Sequence, residues 1–492
     1  MSLSLNMGWF LGIFVVFLLI NLFVAIKVSK GTSGIGQFAL GNVGAIVLAF
    51  SFFATRLSAS TYLGEPGFCW ATGWPYSWIG IFNAAFWLAT ILVVARRMRQ
   101  YSGALGSLTV PDFLGKRYGS DFLRIWTSIG CTVFYIMLMV AQYKGIVALF
   151  TTLFGLNKVV VIIVFSIIAL LYVNIGGFKS VAWTDFIQGV LMVAIAIVVF
   201  LSAFKAVGWS FADVNKQLAN IDPELVKPVA SSGLYDLVGV ICLPFYLFIS
   251  LVSNPYCTIR LMALTDVNKS SFKKFGITLL SIGMICMLMY CTGIFGRVLF
   301  PNLTDADNVV PTIALNYLPQ WMLAVFAVGL FAAIMSTVDS MLHCVSSMIS
   351  LDVYKRTINK NATDKQVASV ARYSSIVCVL IVLVIAFFWT PEFLSMLGLI
   401  AAAGSGLITL SPLLVGLYWD RTSKAGAIAG SLVGVGAFAF FYWIMPINTW
   451  ARGVVSAIIA IVVTIVVSLL TKPVDATILK QMRCTEVANR TE

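Results

Sequence analysis

Apolar runs of about twenty residues recur along the whole sequence. A run of that length is what an α-helix needs to cross the roughly 30 Å hydrocarbon layer of a bilayer. They read as thirteen spans, roughly 8–28, 43–69, 74–95, 121–153, 158–175, 180–204, 237–255, 275–297, 320–350, 370–389, 392–417, 425–446 and 453–471. Composition agrees: 60% of the 492 residues are hydrophobic and only 10% are charged, where a soluble chain carries roughly 25% charged residues. Hydrocarbon offers the backbone no hydrogen-bond partners, so each span must be a helix that satisfies itself. The expected fold class is an all-α polytopic membrane protein, multi-pass in the plasma (inner) membrane, with the lipid bilayer as its surroundings.

The net charge of +13 reports topology and not a nucleic-acid partner. With the N-terminus outside and the C-terminus cytoplasmic, 24 of the 32 Lys and Arg fall on the inner connections, among them Arg96, Arg97, Arg99, Lys116, Arg117, Arg260, Lys355 and Arg356. Six fall on the other side: Lys158, Lys205, Lys216, Lys227, Arg297 and Arg452. That bias is the positive-inside pattern. Two basic residues remain inside spans, Arg56 and Lys144. The nine cysteines have neither disulfide nor metal-ligand spacing and read as small buried apolar groups. The first segment lacks a charged leader and an A-x-A-like site, so it reads as a retained helix and not a signal peptide.

No connection is long enough for a soluble domain. The 205–236 stretch holds at most a short polar helix in "DVNKQLANIDPELVKP", the 96–124 connection is turn-rich, and 351–371 reads as a solvated loop. Two spans are interrupted. The second breaks its apolar run at "ATRLSAS", and the seventh contains "CLPFYLFISLVSNPY" with Pro244 inside the helix. Interrupted helices at corresponding places in two halves point to an inverted-repeat transporter. The expected organisation is an extra helix and loop over 1–42, a first five-helix repeat over 43–205, and an extracellular loop over 206–236. A second repeat over 237–418, two further helices over 419–471 and a cytoplasmic tail over 472–492 complete it.

Three polar groups stand out. Arg56 falls near mid-span, where a charge costs about 3 kcal/mol or more; an internal ion pair, capture of an anionic solute, and lipid exposure are all open to it. Local unwinding of Ser58–Thr61 would surround it with carbonyls and hydroxyls. In "FAAIMSTVDSMLHCVSSMIS", Ser336, Asp339, Ser340 and His343 follow i, i+3, i+4, i+7 spacing and share one helical face, flanked by Thr337. Such an oxygen stripe suits a hard cation; serines alone often only pack helices. His343 reads as a pore-lining or hydrogen-bonded group, or as a proton relay. In "GGFKSVAWTDFIQG", Asp185 is either solvated at its helix mouth or completes a cation site. Inside the spans Arg56 and Lys144 balance Asp185 and Asp339, which favours internal pairing.

Taken in order, "SFFATRLSASTYLGEPG", "VPDFLGKRYGS", "GGFKSVAWTDFIQG", "GRVLFPNL" and "FAAIMSTVDSMLHCVSSMISLDVYK" resemble the solute:sodium symporter family over roughly residues 10 to 472. The stretches "IDPELVKP", "GRVLFPNLTDADNVVPTIALNYLP" and "LVGLYWDR" are most similar to its pantothenate branch, with the proline branch next. The resemblance implies a LeuT-like five-plus-five inverted-repeat core of about thirteen transmembrane helices. It implies a main sodium site at the carbonyls of Ala54, Leu57 and Ala333 and the hydroxyls of Ser336 and Thr337. A second cation site in some members maps to Asp185, Ser336, Asp339 and Ser340, with serine in those members where this chain has Asp339. Solute contacts map to Ser58 and Thr61. An arginine that sialic-acid-type members carry on the fourth span is replaced near Leu138, with Gln142 and Lys144 one to two turns on, so Arg56 is open either to take over the solute carboxylate or to pair with Asp339.

The expected function is sodium-coupled import of a small organic carboxylate, pantothenate first, with proline, another monocarboxylate or a sugar acid as alternatives. Solute contacts are expected from Arg56, Ser58, Thr61 and Gln142, and sodium is the coupling ion at the cation sites, with no other metal, no cofactor and no enzymatic activity. Proton coupling is the competing transport reading, because Asp339 and His343 lie one turn apart. A transporter-like sensor is the reading from another class, and the roughly twenty residues after Lys472 weigh against it. Oligomeric state is not legible.

Overall fold

A computed structural model describes residues 5–29, 38–173, 177–266, 268–389 and 394–488. Lys30, Arg490 and the edges of two expected spans, at 174–175 and 392–393, lie outside these. Apart from one isolated bridge between Val43 and Leu264, the described regular structure is helical. Nine helices are long and apolar enough to cross a membrane, and two bent helix pairs bring the number to eleven among the described residues. The expected third span falls on Trp74–Thr90, which runs on through π-helical turns at Ile91–Ala95, and the expected fifth on Lys158–Val173, whose 16 residues are short for a straight crossing; neither is among the eleven. Thirteen spans are therefore not reached on length and apolarity.

The first bent pair joins Ala45–Arg56 to Ser60–Thr72 at 63°. Leu57 closes the first half with extended backbone, and Ser58 follows outside any helix. The second pair joins Leu237–Val252 to Pro255–Met262 at 59°. Its break is at Ser253–Asn254 and not at Pro244, which stays inside a continuous helix. The reason is local. Pro255 pushes Asn254 out of the helical region, and its ψ is 118°, while Pro244 removes only one internal hydrogen bond. The second half of this pair also takes Arg260, expected in an inner loop, into the buried interior.

The packing repeats with the two units exchanged. The first broken helix packs on Phe178–Ala206, and the second packs on Leu394–Tyr418. Phe178–Ala206 packs on Gln320–Ser347, and Leu394–Tyr418 packs on Asp121–Phe154. The first broken helix meets Lys269–Cys286 and Leu288–Leu299, and the second meets Trp74–Thr90. This is the arrangement expected when two copies of one five-helix unit interlock. Gln320–Ser347 is buried on nearly every side, whereas Met7–Ser29 exposes Trp9, Val16, Leu19 and Phe23 on a lipid-type face.

Two connections are more structured than their polarity suggests. The 96–124 connection forms helices Arg96–Ala104 and Val110–Tyr118, the second capped by the Thr109 hydroxyl, which accepts from the Asp112 amide. The ninth span continues as π-helical turns to Ile358 and buries Asp352, which accepts from Thr109 Oγ1 at 2.7 Å. Between 206 and 236, helix Phe211–Ile221 is tied to the bundle by Trp74 Nε1, which donates to Asn215 Oδ1 at 2.7 Å.

Close approach is built in by glycine. A Cβ on Gly293 would stand 2.1 Å from the Pro66 carbonyl oxygen, while one on Gly12 would meet nothing within 4 Å. Gly293→Val is expected to destabilise the fold by about 1–3 kcal/mol through overpacking and Gly12→Val to leave it unchanged, as read by thermal unfolding of the purified protein in detergent.

Candidate functional site

The break in the first bent pair frees backbone groups that have no water to turn to. They are met from the side by two neighbouring helices. Ser336 Oγ donates to the Ala54 carbonyl at 2.8 Å and to the Ala333 carbonyl at 3.0 Å. One residue on, Thr337 Oγ1 reaches the Thr55 carbonyl at 3.3 Å and the Ala333 carbonyl at 3.2 Å. From Asp121–Phe154, Gln142 accepts from the Ala59 amide at 3.1 Å and donates to Ser58 Oγ at 3.3 Å. Ala54, Ala333, Ser336 and Thr337 are thus brought to one point, beside Leu57 at the break. Their oxygens are hard donors without sulfur or imidazole, a set that fits an alkali cation and not a thiophilic metal.

The four residues of the expected second cation site differ in their hydrogen-bond partners. Asp185 and Ser340 converge on the guanidinium of Arg260, whose Nη2 donates to Asp185 Oδ2 at 2.9 Å and to Ser340 Oγ at 2.5 Å. Ser51 and Thr55 from the first broken helix also donate to Asp185 Oδ2, at 2.7 and 3.3 Å. Arg260 Nε donates to Ser51 Oγ at 2.9 Å, and its Nη1 to the Tyr256 carbonyl at 2.6 Å. Ser336 belongs to the carbonyl group described above. Asp339 is buried, its Oδ1 without a hydrogen-bond partner. Asp185 is accordingly neither solvated nor at a helix mouth. A fixed cation from the second broken helix already neutralises it.

The expected balance of buried charges also resolves differently. Lys144 pairs with Asp307 at 2.9 Å, Asp185 pairs with Arg260, and no ion pair joins Arg56 to Asp339 among the described residues. Arg56 is buried and its Nε has no hydrogen-bond partner. It lines a tight cavity of about 10 Å³ together with Ser58, Ser60, Glu65, Leu138, Gln142, Tyr256 and Thr337. Of the expected solute contacts, Arg56, Ser58 and Gln142 line this space. Thr61 does not: its hydroxyl is buried without a partner elsewhere. His343 Nε2 lies 3.3 Å from the Ala39 carbonyl oxygen, which makes it a hydrogen-bonded interior group.

Three residues escaped the sequence reading. Arg260 was hidden by its place after Pro255, where the positive-inside pattern assigns it to a loop. Asp307 lies in the polar "LTDADN" stretch, which carries no sign of folding back onto a span. Glu65 sits only nine positions after Arg56 inside the same span, and counting it among intramembrane charges would have signalled it.

The sodium:solute symporter family model matches residues 38–434. The chain is 28% identical to the sodium/pantothenate symporter of Haemophilus influenzae, over 85% of this chain and 86% of that protein. It is also 28% identical to a high-affinity proline transporter of Bacillus subtilis, over 82% and 86% respectively. A solved sodium-coupled sialic acid symporter superposes with a TM-score of 0.82 at 19% identity, covering 95% of this chain and 98% of that one. That likeness establishes a LeuT-like five-plus-five inverted-repeat architecture. A multi-pass helical bundle interrupted at two matching places, with a match to the family model across most of its length, identifies the chain as a member of the sodium:solute symporter family.

Proposed function

We propose that the protein imports a small organic carboxylate by sodium symport. The observation that carries this reading is Arg56, buried at a helix break with its Nε unpartnered and in no ion pair among the described residues, and facing a cavity beside a cluster of carbonyl and hydroxyl oxygens. A buried guanidinium with no ion-pair contact is costly, and a solute carboxylate supplies that contact. Sodium binds at the carbonyls of Ala54, Leu57 and Ala333 and the hydroxyls of Ser336 and Thr337. Its binding ties the first broken helix to Gln320–Ser347, so the cation and the solute share one backbone element, and loading of one site is felt at the other.

Ser58 and Gln142 accompany Arg56 at the solute. Pantothenate and proline, the solutes named for the relatives, are the first compounds to test, followed by other monocarboxylates and sugar acids. The charge bias supports an N-terminus outside and a cytoplasmic C-terminus, with the two repeats, 43–205 and 237–418, rocking against each other around a fixed site. Arg260 then stands on the inner side. Its hydrogen bonds to Asp185 and Ser340 must part when the inner path opens, which gives this pair the role of an inner latch.

Proton coupling keeps one specific support, the buried Asp339 carboxylate with an unpartnered oxygen. Uptake into proteoliposomes under an imposed pH gradient without sodium decides between the ions, and sodium symport requires that uptake to stay at background. Ser336→Ala is expected to raise the half-saturating sodium concentration at least about tenfold, as expected when a metal site loses a supporting group, read from the sodium dependence of initial rates. Arg56→Gln is expected to weaken solute binding by about 2 kcal/mol or more, roughly thirtyfold, with the sodium dependence little changed. Unaltered half-saturation by solute in that variant removes Arg56 from the site.

A further inference from the structure

We propose that Glu65 is the second pole of the solute site, and that the transported solute is a zwitterion whose carboxylate is held by Arg56 and whose cationic nitrogen is held by Glu65. The proposal rests on the symport reading above and narrows its solute class from carboxylates in general to amino and imino acids.

Glu65 is 2% exposed and Arg56 8% exposed, and both line the same cavity. No ion pair within 4 Å joins them among the described residues, so opposite charges face one space without touching. That is the geometry a bridging solute needs. Two buried charges meant only to neutralise each other gain most in direct hydrogen-bonded contact, which this pair lacks.

The Glu65 carboxylate is also held in place. Tyr290 donates its hydroxyl hydrogen to Glu65 Oε2, and Asn83 Nδ2 in turn donates to Tyr290 Oη at 3.3 Å. One carboxylate oxygen is thereby fixed from behind, while the other makes no hydrogen bond among the described residues. A carboxylate braced on one oxygen and open on the other is oriented toward a donor in the cavity.

Charge then sets the class of solute. A solute with only a carboxylate pairs with Arg56 but brings a second negative group into the space that Glu65 faces, and like charges in a poorly solvated site repel strongly. A solute with only an ammonium meets the same objection from Arg56. A zwitterion answers both poles and adds no net charge to a site where Arg56 and Glu65 already sum to zero. Besides the two charges, Ser58, Ser60, Gln142, Tyr256 and Thr337 are the further polar side chains around that space.

The test uses the full chain in proteoliposomes with an inward sodium gradient and sodium-driven transient currents as the readout. The panel contains α-amino and imino acids, each matched to its deaminated acid and its decarboxylated amine (proline, cyclopentanecarboxylate and pyrrolidine form one set), together with pantothenate. In the unaltered protein at least one zwitterion is expected to give current, with its matched acid and amine at least tenfold weaker as competitors. Glu65→Gln is expected to raise half-saturation by the zwitterion at least tenfold and to bring the matched acid within about twofold of it, and Glu65→Asp to recover part of the preference. Equal competition by the deaminated acid in the unaltered protein overturns the proposal, and so does sodium-driven pantothenate current that Glu65→Gln leaves unchanged; both leave sodium symport standing. If Glu65→Gln does not fold, as judged by size-exclusion chromatography, the matched sets in the unaltered protein decide alone. Absence of sodium-driven current with every solute overturns the symport reading and the proposal together.

Discussion

A backbone cannot be broken inside hydrocarbon unless something else bonds to the groups set free, and this structure depends on how that demand is met. At the first break, Ser336, Thr337 and Gln142 take up the loose ends from two neighbouring helices. At the second, Thr409 Oγ1 donates to the Ser253 carbonyl at 2.7 Å, and Ser253 Oγ donates to the Gly406 carbonyl at 3.0 Å. Asn254 reaches Ser405 Oγ at 2.8 Å and accepts from the Tyr135 hydroxyl at 2.6 Å. Both breaks are therefore held by side chains from other elements. A pair of weak points in the sequence becomes the most heavily cross-tied part of the bundle.

The same demand governs the charges. Lys144 and Asp307 satisfy each other, and Arg260 is enclosed by Asp185, Ser51, Ser340 and the Tyr256 carbonyl. A guanidinium suits that enclosure because its planar fork serves several oxygens at once. Its bonds span four elements, the two broken helices, Phe178–Ala206 and Gln320–Ser347, so displacement of one against the others must rupture them. Arg56 and Glu65 stand outside this economy of internal pairs. Each faces the cavity instead of a protein counter-ion, and the proposals above follow from that exception.

Much of the architecture was legible from hydropathy and polarity. Apolar runs marked the helices, and the polar interruption at "ATRLSAS" marked the first break. The second was placed on Pro244 when Asn254–Pro255 makes it, because a proline constrains the residue before it more severely than it disturbs an established helix. The polar connections at 96–124 and 351–371 were read as turns and solvated loop. They fold into helical segments, with Asp112 and Asp352 buried among them, because polar residues near a bundle end can be enclosed by partners that local sequence does not disclose. Helical spacing put Ser336, Asp339 and Ser340 on one face, yet their partners differ: Ser336 bonds the Ala54 carbonyl, Ser340 meets Arg260, and Asp339 Oδ1 is buried without a hydrogen-bond partner.

The sequence by itself determined that the chain is a membrane helix bundle with a broken second span and an oxygen-bearing ninth span, since solvent incompatibility and helical period are properties of short stretches. Tertiary structure alone decided which charges meet. Asp185 finds Arg260 75 residues away, Lys144 finds Asp307 163 residues away, and Arg56 finds Glu65 across a cavity and not in contact. Coulombic partnership depends on distance in space, and in a poorly screening interior a few ångströms separate a neutralised pair from two charges open to a solute.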